Sequence, residues 1–287
     1  MNRLTILAAT AVLVVACTSA APSQAPSTPP SSAPPSGEGF SLRTKLSQSI
    51  PPAAAFDALR PPVAIEDGVL FIHAPLDTSF PMGLATILQG HAISDAGIQM
   101  IIDAATQAGL LSGTTDFAPD RMPGSKVAEI VLVIDGVEHR ITGDPDRQIV
   151  CVTTPCEAAP GTPEAFGGYW AKLQDPQAFL GDELGAAEAY EPERIAILLT
   201  EPKLDATLEP DYAEWPLEGA SMRDFGVEFP GAPPSRCGVV EGDDVPVMID
   251  ALRAANEYTR WRDGSGDEYG IVSRPLFPDE ESPCGPS

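Results

Sequence analysis

Lys126-Val127-Ala128-Glu129-Ile130-Val131-Leu132-Val133-Ile134-Asp135-Gly136-Val137-Glu138-His139-Arg140-Ile141-Thr142 decides the fold class. Two apolar runs are separated by Asp135-Gly136 alone. That dipeptide accepts the positive φ angles of a type I′ turn, which match the twist of paired antiparallel strands. The first run is apolar at nearly every position, so it is expected to be central in its sheet with both faces covered. Val63 to Phe71 repeats the device around Asp67-Gly68. Hairpins imply antiparallel pairing, so the expectation is an α+β protein with one mixed or mainly antiparallel sheet and helices on its face, rather than a doubly wound sheet.

Helices punctuate these strands. Ser94 precedes Ile98, Ile101, Ile102, Ala105 and Ala108 at helical spacing, and Gly109 sits at the expected stop. Thr162-Pro163 opens a second helix with Phe166, Tyr169, Trp170 and Leu173 as its apolar stripe. Asp243 or Asp244 is expected to cap a third, with Val245, Met248, Ile249, Leu252, Ala255 and Tyr258 facing the core and Trp261 closing its end. Arg194 to Thr200 reads as a buried strand. Tyr269 to Ser273 reads as a last strand ended by Pro275.

The first residues carry a different signal. Met1-Asn2-Arg3 is a short basic start, and Leu4 to Ala16 is an apolar run too short to span a bilayer. Val14-Val15-Ala16-Cys17 resembles a bacterial lipobox. The resemblance implies a signal peptide at 1–16 and acylation of Cys17 as the mature N-terminus. The alternative is ordinary secretion, with cleavage after Ala20. Acyl chains contribute about 0.8 kcal/mol per buried CH₂, so two or more anchor stably. Thr18 to Gly37 is rich in Pro and Ser, which reads either as an extended tether of about 3.1 Å per residue or as plain disorder with no spacing role. The expected organisation is therefore 1–16 signal, 17–37 lipidated cysteine and tether, and 38–287 one extracytoplasmic domain, with subdomains considered at about 38–160 and 161–287.

Charge bounds the partners. Lys and Arg number 17 against 41 Asp and Glu, a formal net charge of −24. Phosphate binding needs a basic surface, so nucleic acid is excluded as a partner. The same charge attracts cations or a basic partner, and it also serves solubility alone. Setting Cys17 aside leaves four cysteines, an even count that reads as two disulfides in an exported chain. Three pairings exist. Cys151 and Cys156 lie close together across a short turn, which points to Cys151–Cys156 and Cys237–Cys284.

Catalytic motifs are sparse. No G-x-S-x-G, S-x-x-K, H-E-x-x-H, P-loop or dinucleotide fingerprint occurs. His139 alternates in phase with Val137 and Ile141, a structural placement. His73 and His91 stand at either end of one loop and could meet at a zinc ion with a carboxylate. Asp263, Asp267 and Glu268 surround two glycines, a weak calcium candidate that a plain turn explains equally well. Trp170, Trp215 and Trp261 could stack on sugars, but their apolar neighbours favour core packing. No cofactor is expected.

Ala105-Thr106-Gln107-Ala108-Gly109-Leu110-Leu111, Trp215-Pro216-Leu217, Cys237-Gly238-Val239-Val240, Ala254-Ala255-Asn256 with Thr259 and Trp261, and Arg274-Pro275-Leu276-Phe277-Pro278-Asp279-Glu280 form a further set, closed by Cys284. Over residues 60–284 the chain resembles a group of uncharacterised actinobacterial and Chloroflexi-type lipoproteins. The resemblance implies an exported, lipid-anchored domain with a Cys237–Cys284 link, and it implies no activity. The expected role is a non-catalytic binding or interaction module on the outer side of a bacterial membrane. The alternatives are a hydrolase using acidic residues, with or without calcium, and a structural envelope protein.

Overall fold

Asp135 (φ 50°) and Gly136 (φ 77°) turn the chain tightly between β6 (Lys126–Ile134) and β7 (Val137–Gly143), and Asp67 (φ 49°) and Gly68 (φ 73°) do the same between β2 (Ala64–Glu66) and β3 (Val69–His73). Both turns have positive φ at their two central residues, as type I′ requires. The computed structural model describes residues 39–48, 50, 56, 60–74, 80–85, 87–113, 115–118, 124–147, 158–205, 207–209, 211–230 and 235–285. The signal and tether readings, Cys17, Cys151 and Cys156 lie outside these residues.

The two hairpins join one sheet through β1 (Phe40–Gln48), which pairs antiparallel with β6 on one side and β2 on the other. With β4 (Leu88–Ile93), β5 (Asp116–Phe117) and β8 (Leu184–Tyr190) the order is β5-β7-β6-β1-β2-β3-β4-β8, all antiparallel except the short β5–β7 contact. Side chains alternate across the sheet. Leu42, Ile65, Leu70, Ala128, Ile130, Leu132 and Ile141 therefore share one face. That face packs against α1 (Asp95–Gln107) and α2 (Pro163–Gln174) through Ile98, Ile101, Phe166, Tyr169, Trp170 and Leu173. Full burial of each large apolar side chain contributes about 1.5–3 kcal/mol.

The helices start where the sequence indicates. The Ser94 hydroxyl accepts from Gly97 N at 3.0 Å and donates to the Glu183 carboxylate. The Thr162 hydroxyl accepts from Ala165 N at 3.2 Å. Both satisfy first-turn N–H groups that have no intrahelical partner. Gly109 leaves α1 at φ 70°. A short α3 (Pro176–Leu180) leads back to β8.

A second sheet begins at β9 (Arg194–Thr200). With β10 (Tyr212–Glu214), β11 (Val227–Glu228), β12 (Arg236–Glu241), β13 (Arg260–Arg262) and β14 (Glu268–Pro275) its order is β10-β13-β14-β9-β12-β11. β9 is central, and Ile195 to Leu199 are all buried. Ile195, Ile197 and Leu199 face α4 (Asp244–Arg253) through Val245, Met248 and Leu252. Ala196 and Leu198 face the other way, toward Cys237 and Leu276.

Several expectations are corrected. There are two sheets, not one, and the change of sheet falls between Tyr190 and Arg194. It lies beyond residue 160 because α2, α3 and β8 all pack into the first core. β6 is central, but only Ala128, Ile130 and Leu132 are fully buried, so its second face is half-covered. Asp243 occupies the N-cap of α4 without a side-chain hydrogen bond. Trp261 is buried on β13 rather than closing α4.

The C-terminal residues form a strap between the two sheets. Leu276 packs with Cys237 and Leu198 on the second sheet, and its neighbour Phe277 packs with Ala64, Phe71 and Leu88 on the back of the first. Arg43 and Lys45 on β1 then bind Asp279 at 2.8 Å and Glu281 at 2.7 Å. Cys284 closes the strap in a disulfide with Cys237. In the other direction, residues 80–85 from the first half reach across. Leu84 and Ala85 enter the second core, and Leu84 O accepts from the Ser273 hydroxyl at 2.6 Å.

Candidate functional site

Glu191-Pro192-Glu193 immediately precedes β9, and Glu241-Gly242 ends β12. Antiparallel pairing sets Glu241 opposite Arg194, so two acidic segments remote in sequence meet at one sheet end. There α4 begins. Pro246, Ile249, Asp250 and Arg253 fall at i, i+3, i+4 and i+7, one flank of the helix. That flank and the two acidic segments enclose a groove of about 640 Å³.

Its floor is apolar: Val245 is buried, Ile249 is half-buried and Pro246 is exposed. Its rim carries Glu191, Glu193 and Glu241, all exposed and without a salt bridge or side-chain hydrogen bond among the described residues. Both basic groups that border the groove are engaged. Arg194 donates to Glu280 O at 2.7 Å, and Arg253 binds Asp250 at 3.1 Å. Burial, with the charge of Glu193 adding to it, holds the nearby Tyr190 phenol above its ordinary pKa. The arrangement suits an apolar group flanked by positive charge.

A second cleft of about 580 Å³ lies between Arg223, Phe229, Arg236 and Tyr269. Both of its arginines are engaged, while the exposed Glu228 on its lining has no side-chain partner among the described residues. Arg223 binds Asp267 at 2.6 Å, and Arg236 donates to Phe225 O at 2.8 Å and Gly226 O at 2.9 Å.

The residues singled out from sequence are dispersed. Asp263 accepts from Met222 N at 2.6 Å and Ser265 N at 2.9 Å, and its hydrogen bond with Ser265 draws its carboxyl below the usual range. Asp267 is taken by Arg223. Glu268 binds Arg262 at 2.7 Å and Arg260 at 3.4 Å, and the Arg262 hydrogen bond holds its carboxyl low. These three carboxylates do not converge, and among the described residues no group of three or more His, Cys, Asp or Glu side chains is placed to hold a metal ion.

His73 and His91 do not meet. His73 pairs across β3–β4 with Leu88 and lies on the back face against Phe277, ring centres 4.8 Å apart. His91 pairs with Leu70 on the helix-covered face and contacts Gly185 O at 3.0 Å. Burial, with the charges of Arg60 and Arg274 adding to it, pushes the His73 pKa down to about 3. His139 shares the face of Ile141 and is half-buried. Trp170 and Trp261 are buried, and Trp215 packs edge-on to Phe225 at 5.2 Å.

The groove was missed from sequence. Its only local sign is that Glu191-Pro192-Glu193 and Glu241-Gly242-Asp243-Asp244 flank two strands, and nothing local says that those strands pair. Among the described residues no helix is long and apolar enough to cross a membrane. Comparison of the chain with known protein families, with curated proteins and with solved structures finds no match in any of the three.

Proposed function

We propose that this chain is an exported bacterial lipoprotein, tethered through lipid on Cys17, whose acidic α+β body is a binding module rather than a catalyst. The observation that carries the reading is the Cys237–Cys284 disulfide. It ties the strap across both sheets, and such bonds persist in oxidising compartments outside the cytoplasm. The basic start, short apolar run and Val-Val-Ala-Cys ending agree with that address. The likeness over residues 60–284 to the lipoprotein group fits it and supplies no chemistry.

Binding rather than catalysis is favoured by how the carboxylates are used. Asp263, Asp267 and Glu268 are spent on backbone or arginine partners, whereas Glu191, Glu193 and Glu241 stand unpaired around an apolar floor. The partners are a membrane, through the acyl chains, and a protein or small ligand. The net charge of −24 opposes nucleic acid.

Cells fed a clickable palmitate analogue test the anchoring. Label on the wild-type chain and none on Cys17→Ala is the expected result. An unlabelled chain, or label that survives the substitution, overturns it.

A further inference from the structure

We propose that the groove beside α4 docks a basic segment of a partner protein, with an apolar side chain on the floor of Val245, Pro246 and Ile249 and lysine or arginine against Glu191, Glu193 and Glu241. The proposal deepens the binding-module reading and rests on it, but it does not depend on the lipid.

With 41 acidic residues against 17 basic ones, unpaired carboxylates are common on this surface. What separates these three is that they line one groove together with Val245, Pro246 and Ile249. The floor sits within a concavity of about 640 Å³, large enough for several side chains. A neutral ligand would cover the floor and leave the rim unmatched. An anionic ligand would meet repulsion from all three carboxylates. A metal ion would need three or more convergent ligands, which are not present among the described residues. A chain segment carrying both an apolar anchor and positive charge satisfies floor and rim together.

The rim also accounts for selectivity. Exposed charges steer encounter and reject like-charged partners more than they add affinity. The apolar anchor supplies the desolvated centre that binding energy concentrates in. The partner is therefore expected to be recognised quickly at low salt and slowly at high salt, with the anchor side chain setting its residence time.

The test uses the full chain purified in detergent and a fluorescent peptide in which leucines alternate with lysines, read by anisotropy. Three charge reversals in the groove, Glu191→Lys, Glu193→Lys and Glu241→Lys, are made together. A matched set outside it, Glu201→Lys, Glu209→Lys and Glu218→Lys, changes the net charge equally; all six positions are exposed, so folding is preserved and is verified by circular dichroism. The expected result is affinity about tenfold weaker or more for the groove set, with a much smaller change for the matched set. Replacing the peptide's leucines by serine is expected to weaken binding as well.

Equal loss in both sets assigns the attraction to overall charge and overturns the proposal. So does binding unaffected by the groove set, or no peptide binding at all. Spermine that displaces the peptide while the serine peptide binds as well as the leucine one leaves no role for the anchor, and that also overturns it. None of these outcomes bears on palmitate labelling at Cys17, so failure here and failure of the anchoring are read separately.

Discussion

The guanidinium of Arg274, at the end of β14, is bonded to the carboxylate of Glu280 in the strap, with side-chain exposures of only 4% and 12%. Glu280 also accepts from Phe277 N at 3.0 Å, and its carbonyl accepts from Arg194 at 2.7 Å. Burial raises the Glu280 carboxyl above its usual range against the pull of Arg274. Removing one partner of a buried ion pair costs about 3–5 kcal/mol. Glu280→Ala is therefore expected to lower the unfolding free energy by that amount in urea titrations. A loss below about 1 kcal/mol would show that the pair does not hold the strap.

The disulfide acts on the same strap. It closes a loop with a sequence separation of 47, for which the chain-entropy model gives roughly 4 kcal/mol. Cys284→Ser is expected to reduce stability by about 2–4 kcal/mol and to increase protease cleavage after residue 275. An unchanged denaturation midpoint would contradict the assignment.

His73 sets an acid limit. Its pKa falls from 6.5 to about 3 on folding, chiefly through burial, and neither ring nitrogen has a hydrogen-bond partner among the described residues. The unfolded chain then binds the proton more readily. The contribution is full above about pH 6.5 and is lost as pH falls toward about 3, on the order of 5 kcal/mol in total. The raised Glu280 carboxyl works in the opposite sense, because its protonation favours the folded form. The His73 share is therefore read as the difference between wild type and His73→Leu. That difference should grow as pH falls from 6.5, and a constant difference would refute it.

Two adjacent glycines in α2 make opposite predictions. A Cβ on Gly167 would lie 1.7 Å from Arg147 O, whereas one on Gly168 meets nothing within 4 Å. Helix propensity alone favours alanine at either position by about 1 kcal/mol. Gly168→Ala should raise the melting temperature and Gly167→Ala should lower it. Equal effects would mean that the backbone at Arg147 does not cross the helix so closely.

Calcium should leave the melting temperature unchanged if Asp263, Asp267 and Glu268 are occupied as described. A rise that titrates with calcium would show that these carboxylates can be recruited.

What was legible in the sequence was locally encoded. Asp67-Gly68 and Asp135-Gly136 state their turn type in the residues themselves, and Ser94 and Thr162 state their helix starts. Burial of Ile195 to Leu199 followed from an unbroken apolar run. β8 was missed because Leu184-Gly185-Ala186-Ala187-Glu188-Ala189-Tyr190 has helix-forming composition, and its Gly185 to Ala189 are exposed. The pairing partner β4 imposes its extended state. β1 and β12 were also missed. Their apolar residues alternate with charge or sit beside Cys and Gly, and tertiary pairing overrides weak local preference. The second sheet and the groove arise from which strands pair, which no short stretch records.

Mass spectrometry of the chain isolated from its native membrane fraction tests the anchor and the strap together. The expected result is an N-terminal peptide beginning at Cys17 and carrying thioether-linked acyl chains, together with a Cys237–Cys284 linked peptide that separates on reduction. A chain recovered from the soluble fraction still beginning at Met1, with free thiols at 237 and 284, would contradict it.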